Sequence, residues 1–125
     1  VVALGKQSHT DVSWHAASLF EPWGLSADAV LLSRILHDWG DEDALQILKR
    51  AREVLGEGGR VFLVEMLMPE HGFSGALCDL HLLAVTGGKE RTVGEYQALL
   101  SQAGFRLEEV RNLPALPSVL IARSL

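Results

Sequence analysis

Residues 28–67, DAVLLSRILHDWGDEDALQILKRAREVLGEGGRVFLVEML, contain a strand pattern, a helix pattern and a second strand pattern in succession. Residues 28–36 and 60–67 are short apolar runs rich in Val, Ile and Leu, as is typical of parallel strands buried on both faces. Between them, apolar residues recur at helical spacing over 41–55, with Asp41 as the expected helix cap. A crossover of this length favours a right-handed parallel unit, so the segment predicts an α/β fold.

The C-terminal part of the chain carries one more helix and a pair of strands. The sequence TVGE, residues 92–95, is a capping box, and it opens a helix that ends before Gly104. Strand patterns follow over residues 105–110 and 118–122, joined by a proline-containing connection. We therefore expect a hairpin-like ending to a mostly parallel sheet.

Two segments give weaker signals. Residues 12–16 are a short strand candidate, and Leu77, Leu80 and Ala84 mark a helix. The single cysteine, Cys78, lies in this apolar stretch and is expected to be a small buried hydrophobic residue rather than a reactive thiol. A lone cysteine without an intrachain partner fits a reducing compartment.

The composition limits the function classes. With 125 residues, 48% hydrophobic and 22% charged, the chain predicts one packed domain. A formal net charge of -5 provides no basic surface for nucleic acid or an anionic membrane, which favours a small-molecule or protein partner. No leader pattern opens the chain and no apolar run approaches the roughly 20 residues of a membrane span, so we expect a cytoplasmic protein.

Titratable residues lie near the ends of the predicted strands. His37 and Asp38 close the first strand, Glu65 lies near the end of the second, and the loop at residues 86–92 brings Glu90. Ligands of open α/β sheets bind outside the carboxyl ends of the strands, so we expect the imidazole and the two glutamates to converge there. A carboxylate-oriented imidazole suits general-base catalysis, although spacing alone leaves a purely structural histidine as the alternative.

Three segments together carry a family resemblance: LSRILHDWGDEDALQILKRAREVL, GEGGRVFLVE and DLHLLAVTGGKERTVGEYQALLSQAGF. They closely resemble the C-terminal half of the O-methyltransferases that act on small molecules with S-adenosylmethionine, a family with plant phenolic, acetylserotonin and bacterial antibiotic-tailoring branches. The likeness runs from about residue 20 to the C-terminus, with residues 1–19 weakly defined. It implies a partial Rossmann-like class I methyltransferase sheet with helices on its faces.

The resemblance also assigns roles at the strand ends. The family's catalytic base matches His37, and its two supporting glutamates match Glu65 and Glu90. His37 would take the proton from an aromatic hydroxyl while the oxygen attacks the methyl carbon of the sulfonium, and no metal is implied. Asp38 is expected either to contact the substrate or to orient the turn.

The resemblance extends to the cofactor and the substrate. Cofactor-binding positions would be Ser18, Leu19, Phe20, Ser33, Arg34 and Trp39. Ser18 departs from the acidic residue that is usual in the family, and Trp39 has packing as an alternative role. His81 and Val85 match a helix that faces the substrate, with plain solvent exposure of His81 as the alternative.

Two features of the family have no match in these 125 residues. The glycine-rich turn after the first strand and the N-terminal helical domain have no match, so residues 1–125 are interpreted as the C-terminal portion of one catalytic domain. The parent is expected to be a homodimer through the absent domain, and the 125-residue chain alone to be inactive. The alternatives are a relative with non-methylating, hydroxylase-like chemistry and a non-catalytic interaction module that uses an exposed sheet edge.

Overall fold

Four strands and two α-helices form the regular structure of the described residues. The computed structural model describes residues 11–69, 88–114 and 117–125. The elements in chain order are β1 (Ala29–Ser33), a 3-10 turn (Leu36–Asp38), α1 (Asp41–Leu55), β2 (Arg60–Glu65), α2 (Val93–Gln102), β3 (Phe105–Asn112) and β4 (Ser118–Ser124). This order confirms the α/β class.

The sheet has the strand order β1-β2-β4-β3. β1 pairs with β2 in parallel, with Val30 opposite Val61, and α1 forms the crossover between them. β4 runs antiparallel to both β2 and β3, with a register irregularity between Leu107 and Glu109 of β3. The expected hairpin-like ending is therefore present, but its last strand is inserted into the middle of the sheet. The expectation of a mostly parallel sheet is not met among the described strands, of which only β1 and β2 pair in parallel.

The burial patterns of β3 and β4 explain why β4 takes the central position. In β4 every second residue is buried, including Leu120 and Ala122, whereas only Phe105 of β3 is fully buried. When buried and partly buried residues alternate along a whole strand, the strand removes the most apolar surface from water if it has a neighbouring strand on each side. The central place of β4 therefore buries more apolar area than the reverse order would.

The core lies on one face of the sheet, beneath α1 and α2. Leu63 and Leu120 are opposite one another on that face and are fully buried, together with Ile47 of α1 and Leu100 of α2. The expected burial of β1 on both faces is met on one face only within the described residues, where Leu31 is 66% exposed. Side chains alternate across a strand, so Leu31 points away from the helices.

Several expected boundaries differ from those of the structure. Residues 12–16 form no strand, and no strand of the described sheet pairs with them. β1 ends at Ser33 because Arg34 adopts a left-handed φ of 54°, which turns the chain out of the sheet. β2 ends at Glu65, beyond which Leu67 makes an isolated bridge to Arg91.

The two helices begin differently. Asp41 is the first residue of α1 and not its cap, because Gly40 occupies the cap position and the Asp41 carboxylate pairs with basic side chains. In α2 the expected capping box is present: Thr92 accepts from the backbone N–H of Glu95, whose carboxylate accepts from the N–H of Thr92.

The helix expected around residues 77–84, and Cys78 with it, lies outside the described residues. Among the helices of the described part, none is long and apolar enough to cross a membrane.

Candidate active site

His37 lies on the 3-10 turn that follows β1, and not in the strand itself. The left-handed backbone of Arg34 makes the chain leave the sheet, and residues Leu36–Asp38 then form a single turn. The His37 side chain is 12% exposed. The turn therefore presents an imidazole that solvent or a ligand can reach at the carboxyl end of β1.

Glu65 is the last residue of β2, and its carboxylate is fully buried. One oxygen accepts a 3.1 Å hydrogen bond from the backbone N–H of Leu36, and the other lies 3.0 Å from the Arg34 guanidinium. Burial raises the pKa of Glu65 to about 7, against the opposing effects of Arg34 and of the N–H groups of Leu36 and His37. Glu65 thus contacts the backbone of the turn that carries His37.

Glu90 reaches the same point from the segment before α2. Its Oε1 lies 3.3 Å from Nδ1 of His37 and 2.8 Å from Nη2 of Arg34, and its side chain is 2% exposed. Gly88 permits this approach, since a Cβ at that position would lie 2.5 Å from the carbonyl carbon of Asp38. The expected convergence of His37, Glu65 and Glu90 is therefore present, with ligand atoms of all three within 4.8 Å of one another.

Arg34 lies at the centre of this group. Its Nη1 bonds Glu65 Oε2 at 3.0 Å and Glu90 Oε2 at 3.3 Å, while its Nη2 lies 3.1 Å from Nδ1 of His37. One histidine and two carboxylates are also a ligand set that metal ions use in proteins. In this structure the Arg34 guanidinium bonds both carboxylates. Arg34 therefore supplies the positive charge that balances Glu65 and Glu90.

Asp38 is on the outer side of the imidazole. Its carboxylate is 43% exposed, and Oδ1 lies 3.4 Å from Nε2 of His37. The two ring nitrogens of His37 therefore face different carboxylates, Glu90 at Nδ1 and Asp38 at Nε2.

Arg91, which no sequence motif singles out as a site residue, holds the turn through its backbone carbonyls. Its fully buried guanidinium donates to the carbonyl oxygens of Leu36 and Trp39, at 3.0 and 2.8 Å, and to Asp41 at 3.0 Å. The available signal was its position next to Glu90 in GGKERT. Its partners are backbone carbonyls, which no side-chain pattern reveals.

The residues expected at the cofactor fall into two groups. Ser18 and Leu19 line a cavity of about 230 Å³ whose other walls include Trp23. Phe20 meets Trp39 edge to face, with ring centroids 4.8 Å apart. Their roles in cofactor binding stay predictions.

The remaining expected ligand-binding positions are scattered. Ser33 is exposed at the end of β1, and Arg34 faces the carboxylates as described above. His81 and Val85 lie outside the described residues. A larger cavity of about 350 Å³ between α1 and α2, lined in part by Asp41 and Glu95, contains none of the expected site residues.

Solved structures define the fold class. The structure of human N-acetylserotonin methyltransferase in complex with S-adenosylmethionine superimposes with a TM-score of 0.88 at 30% identity, over 99% of this chain and 38% of that one. The mitomycin 7-O-methyltransferase MmcR superimposes with a TM-score of 0.81 at 32% identity, over 90% of this chain and 34% of that one. The described sheet and helices are thus part of a methyltransferase fold.

Sequence comparisons then give the family. The profile of the O-methyltransferase domain matches residues 1–106, and the chain belongs to this family. Xanthohumol 4-O-methyltransferase from Humulus lupulus is 39% identical over 117 residues, which cover 89% of this chain and 32% of the relative. A phenazine O-methyltransferase from Lysobacter antibioticus is 37% identical over 98 residues, which cover 77% and 29%. The chain thus spans about a third of the length of the curated relatives that it matches.

Proposed function

We propose that the protein containing this chain is an S-adenosylmethionine-dependent O-methyltransferase of a small, aromatic hydroxyl compound, with His37 as the general base. The observation that carries the proposal is the cluster of His37, Glu65 and Glu90, supplied by three separate segments and within 4.8 Å. Membership of the O-methyltransferase family supports the reaction class. The imidazole and its carboxylate partners support the proton transfer.

The proposed reaction needs one proton acceptor beside an electrophilic methyl group. When bound, S-adenosylmethionine would supply that methyl group on its sulfonium, and a neutral thioether would be the leaving group as the O–C bond replaces the C–S bond. His37 accepts the hydroxyl proton through Nε2, the ring nitrogen that lies beside the exposed Asp38 carboxylate. Glu90, at Nδ1, then stabilises the imidazolium, and Glu65 holds the turn through the N–H of Leu36.

The residues around Ser18 fit the adenine end of the cofactor. The cavity of about 230 Å³ is walled by Leu19, Trp23 and Leu25, which offer apolar surface and an aromatic ring to a purine. Phe20 is fixed nearby, because its carbonyl oxygen accepts a 2.9 Å hydrogen bond from Arg50 of α1. These residues would hold one side of the cofactor, and dimerisation of the full-length protein would complete the substrate wall.

The direct test uses the full-length protein, S-adenosylmethionine with a labelled methyl group, and a broad panel of phenols. We expect label transfer to at least one phenol hydroxyl, with S-adenosylhomocysteine formed in equal amount. Cofactor binding without label transfer to any phenol would contradict the methyl-transfer proposal and favour the hydroxylase-like alternative. Absence of cofactor binding would instead favour the non-catalytic alternative.

A further inference from the structure

We propose that Arg34 is a positioning residue that sets the tautomer of His37: it holds Nδ1 in the ligand-free enzyme and must release it before His37 can act as a base. The proposal rests on the proposed role of His37. It concerns the contact between Nη2 of Arg34 and Nδ1 of His37, which are 3.1 Å apart.

The chemistry of this contact fixes the proton positions. A guanidinium has only N–H donors, so Nδ1 of His37 must act as an acceptor toward it. A neutral imidazole that accepts at Nδ1 carries its proton on Nε2. The contact therefore selects the Nε2–H tautomer.

The surroundings of the other ring nitrogen agree. Nε2 of His37 lies 3.4 Å from Oδ1 of Asp38, and an ionised carboxylate is an acceptor only. A proton on Nε2 is thus favoured by Asp38, just as a lone pair on Nδ1 is favoured by Arg34. The two contacts select the same tautomer from opposite sides of the ring.

That tautomer is unsuited to the proposed reaction. The base must present a lone pair at Nε2, which requires the proton to be on Nδ1. Glu90 is the acceptor for that proton, since its Oε1 lies 3.3 Å from Nδ1. Arg34 and Glu90 therefore compete for one nitrogen, and the exchange moves a single proton from Nε2 to Nδ1 through solvent without changing the charge of the ring.

Arg34 can release Nδ1 without leaving the site. Its Nη1 bonds Glu65 and Glu90, and its Nη2 bonds Oε1 of Glu90 at 2.8 Å as well as contacting His37, so a small rotation can break the contact with Nδ1 while the ion pairs through Nη1 remain. The Arg34 side chain is 30% exposed, which leaves it open to a bound ligand. It is also the one non-glycine residue with a positive φ among those described, and that backbone directs its side chain into the cluster.

The test measures ¹⁵N chemical shifts of the His37 ring in the full-length protein, at an alkaline pH where an ordinary imidazole is neutral. We expect the Nε2–H tautomer in the ligand-free protein and the Nδ1–H tautomer in Arg34→Met, because the buried Glu90 then competes for the ring proton only with Asp38, whose side chain is 43% exposed. We also expect Nδ1–H in the wild-type complex with S-adenosylhomocysteine and a phenol. Arg111→Met is the matched control, because Arg111 is exposed on β3 and pairs only with Glu109 among the described contacts; its His37 tautomer should equal that of the wild type.

An Nδ1–H tautomer in the ligand-free wild type would overturn the proposal, and so would an Arg34→Met variant that keeps Nε2–H. If Arg34→Met fails to fold, the wild-type spectra still test the proposal, because an Nδ1–H tautomer without ligand, or an unchanged Nε2–H tautomer in the ternary complex, would overturn it. The test is also separate from the proposed function, since the ligand-free tautomer is measured without any turnover. A protein with the Nε2–H tautomer and no methyl transfer would contradict the reaction class alone.

Discussion

Glu65 combines full burial with an ionisable carboxylate, which is uncommon outside functional sites. Its neighbours stabilise the charge only in part: Arg34 and the N–H of Leu36 bond its oxygens, yet burial still raises its pKa to about 7. The carboxyl therefore changes its protonation near neutral pH while it supports the turn of His37.

This pKa predicts a pH dependence of stability. In the unfolded chain Glu65 loses its proton near its ordinary pKa of 4.5, whereas in the fold it does so at about 7. Between these values the folded state binds the extra proton, so the free energy of unfolding falls as pH rises, by up to about 1.4 kcal/mol per pH unit. The stabilisation by the protonated Glu65 is fully present below the unfolded-state pKa and is lost above the folded-state pKa.

The measurement is urea unfolding of wild type and Glu65→Gln across this pH range. The glutamine stays neutral and keeps an acceptor for the N–H of Leu36, so the variant should gain stability relative to wild type as pH rises. Glu108→Gln is the control, because Glu108 is on the exposed strand β3 and its pKa is lowered by Arg60. A constant difference between wild type and Glu65→Gln would show that Glu65 does not titrate in this window.

His37 carries a second prediction at this scale. His37→Gln should lower kcat by roughly 10²- to 10⁴-fold, because it removes the proton acceptor, while the dissociation constant of S-adenosylmethionine changes little. Labelled methyl transfer and calorimetric titration of the full-length protein measure the two quantities. His9→Gln, at a histidine to which no role is assigned, serves as the control. Unchanged kcat in His37→Gln would remove His37 from the mechanism.

At the scale of elements, the segment from Gly88 to Arg91 clamps the turn that follows β1. Glu90 contacts the imidazole, and Arg91 bonds the carbonyl oxygens of Leu36 and Trp39. Arg91 also continues the ladder beyond β2, since its carbonyl accepts from the N–H of Met68. One short segment thus contacts both the backbone of the turn and the side chain of His37.

The close contact between Gly88 and the turn predicts that a methyl group added at position 88 destabilises the fold. In Gly88→Ala, the new Cβ would collide with the backbone of His37 and Asp38, which cannot rotate away as a side chain can. We expect a loss of roughly 1 to 3 kcal/mol in the free energy of unfolding, together with lower turnover. Urea unfolding and methyl transfer measure the two effects.

Gly40→Ala is the matched control for this substitution. A Cβ at Gly40 meets nothing within 4 Å, and the residue has an ordinary φ of -68°. Its free energy of unfolding should change by less than about 1 kcal/mol. Equal losses in the two variants would show that Gly88 is not held against the turn.

At the scale of the whole molecule, β1 forms an edge of the described sheet. Within the described sheet β1 pairs only with β2. The Leu31 side chain is exposed on the face of β1 that points away from the helices. An unpaired, apolar edge strand is a template for association with another strand. The 125-residue chain alone should therefore self-associate.

Leu31→Lys should reduce this association, because a charged residue disfavours pairing and burial at the edge. Sedimentation velocity of the isolated chain measures the effect. Leu113→Lys is the control, since Leu113 is similarly exposed, at 45%, but follows β3 rather than lying in an edge strand. A monomeric wild-type chain would contradict the prediction.

The isolated chain should also bind the cofactor poorly. The expected contacts at Phe20, Arg34 and Trp39 would line only one side of the cofactor. Each hydrogen bond lost with the glycine-rich turn, which has no match in this chain, weakens binding by roughly 0.5 to 1.5 kcal/mol. We expect no saturable binding in the micromolar range when the chain is titrated with S-adenosylmethionine, and no methyl transfer. Micromolar binding would show that these residues form most of the cofactor site.

The sequence determined the helices and strands of the described sheet, because local signals define them, whereas the weaker signal at residues 12–16 predicted a strand that does not form. Apolar runs marked β1 and β2, the helical period marked α1, and the capping box at Thr92 marked the start of α2. The convergence of His37 and Glu65 was also predictable, since the carboxyl ends of parallel strands meet at one edge of a sheet, and Glu90 was expected there because its loop enters the following helix from the same side.

Only the tertiary structure decided how these groups meet. The left-handed backbone of Arg34, the position of its guanidinium between Glu65 and Glu90, and the bonds of Arg91 to backbone carbonyls depend on segments far apart in sequence. Likewise, β4 lies between β2 and β3 because that order buries its alternating residues. Local propensity acts over a few neighbouring residues, whereas burial and ion pairing depend on which distant groups are brought within a few ångströms.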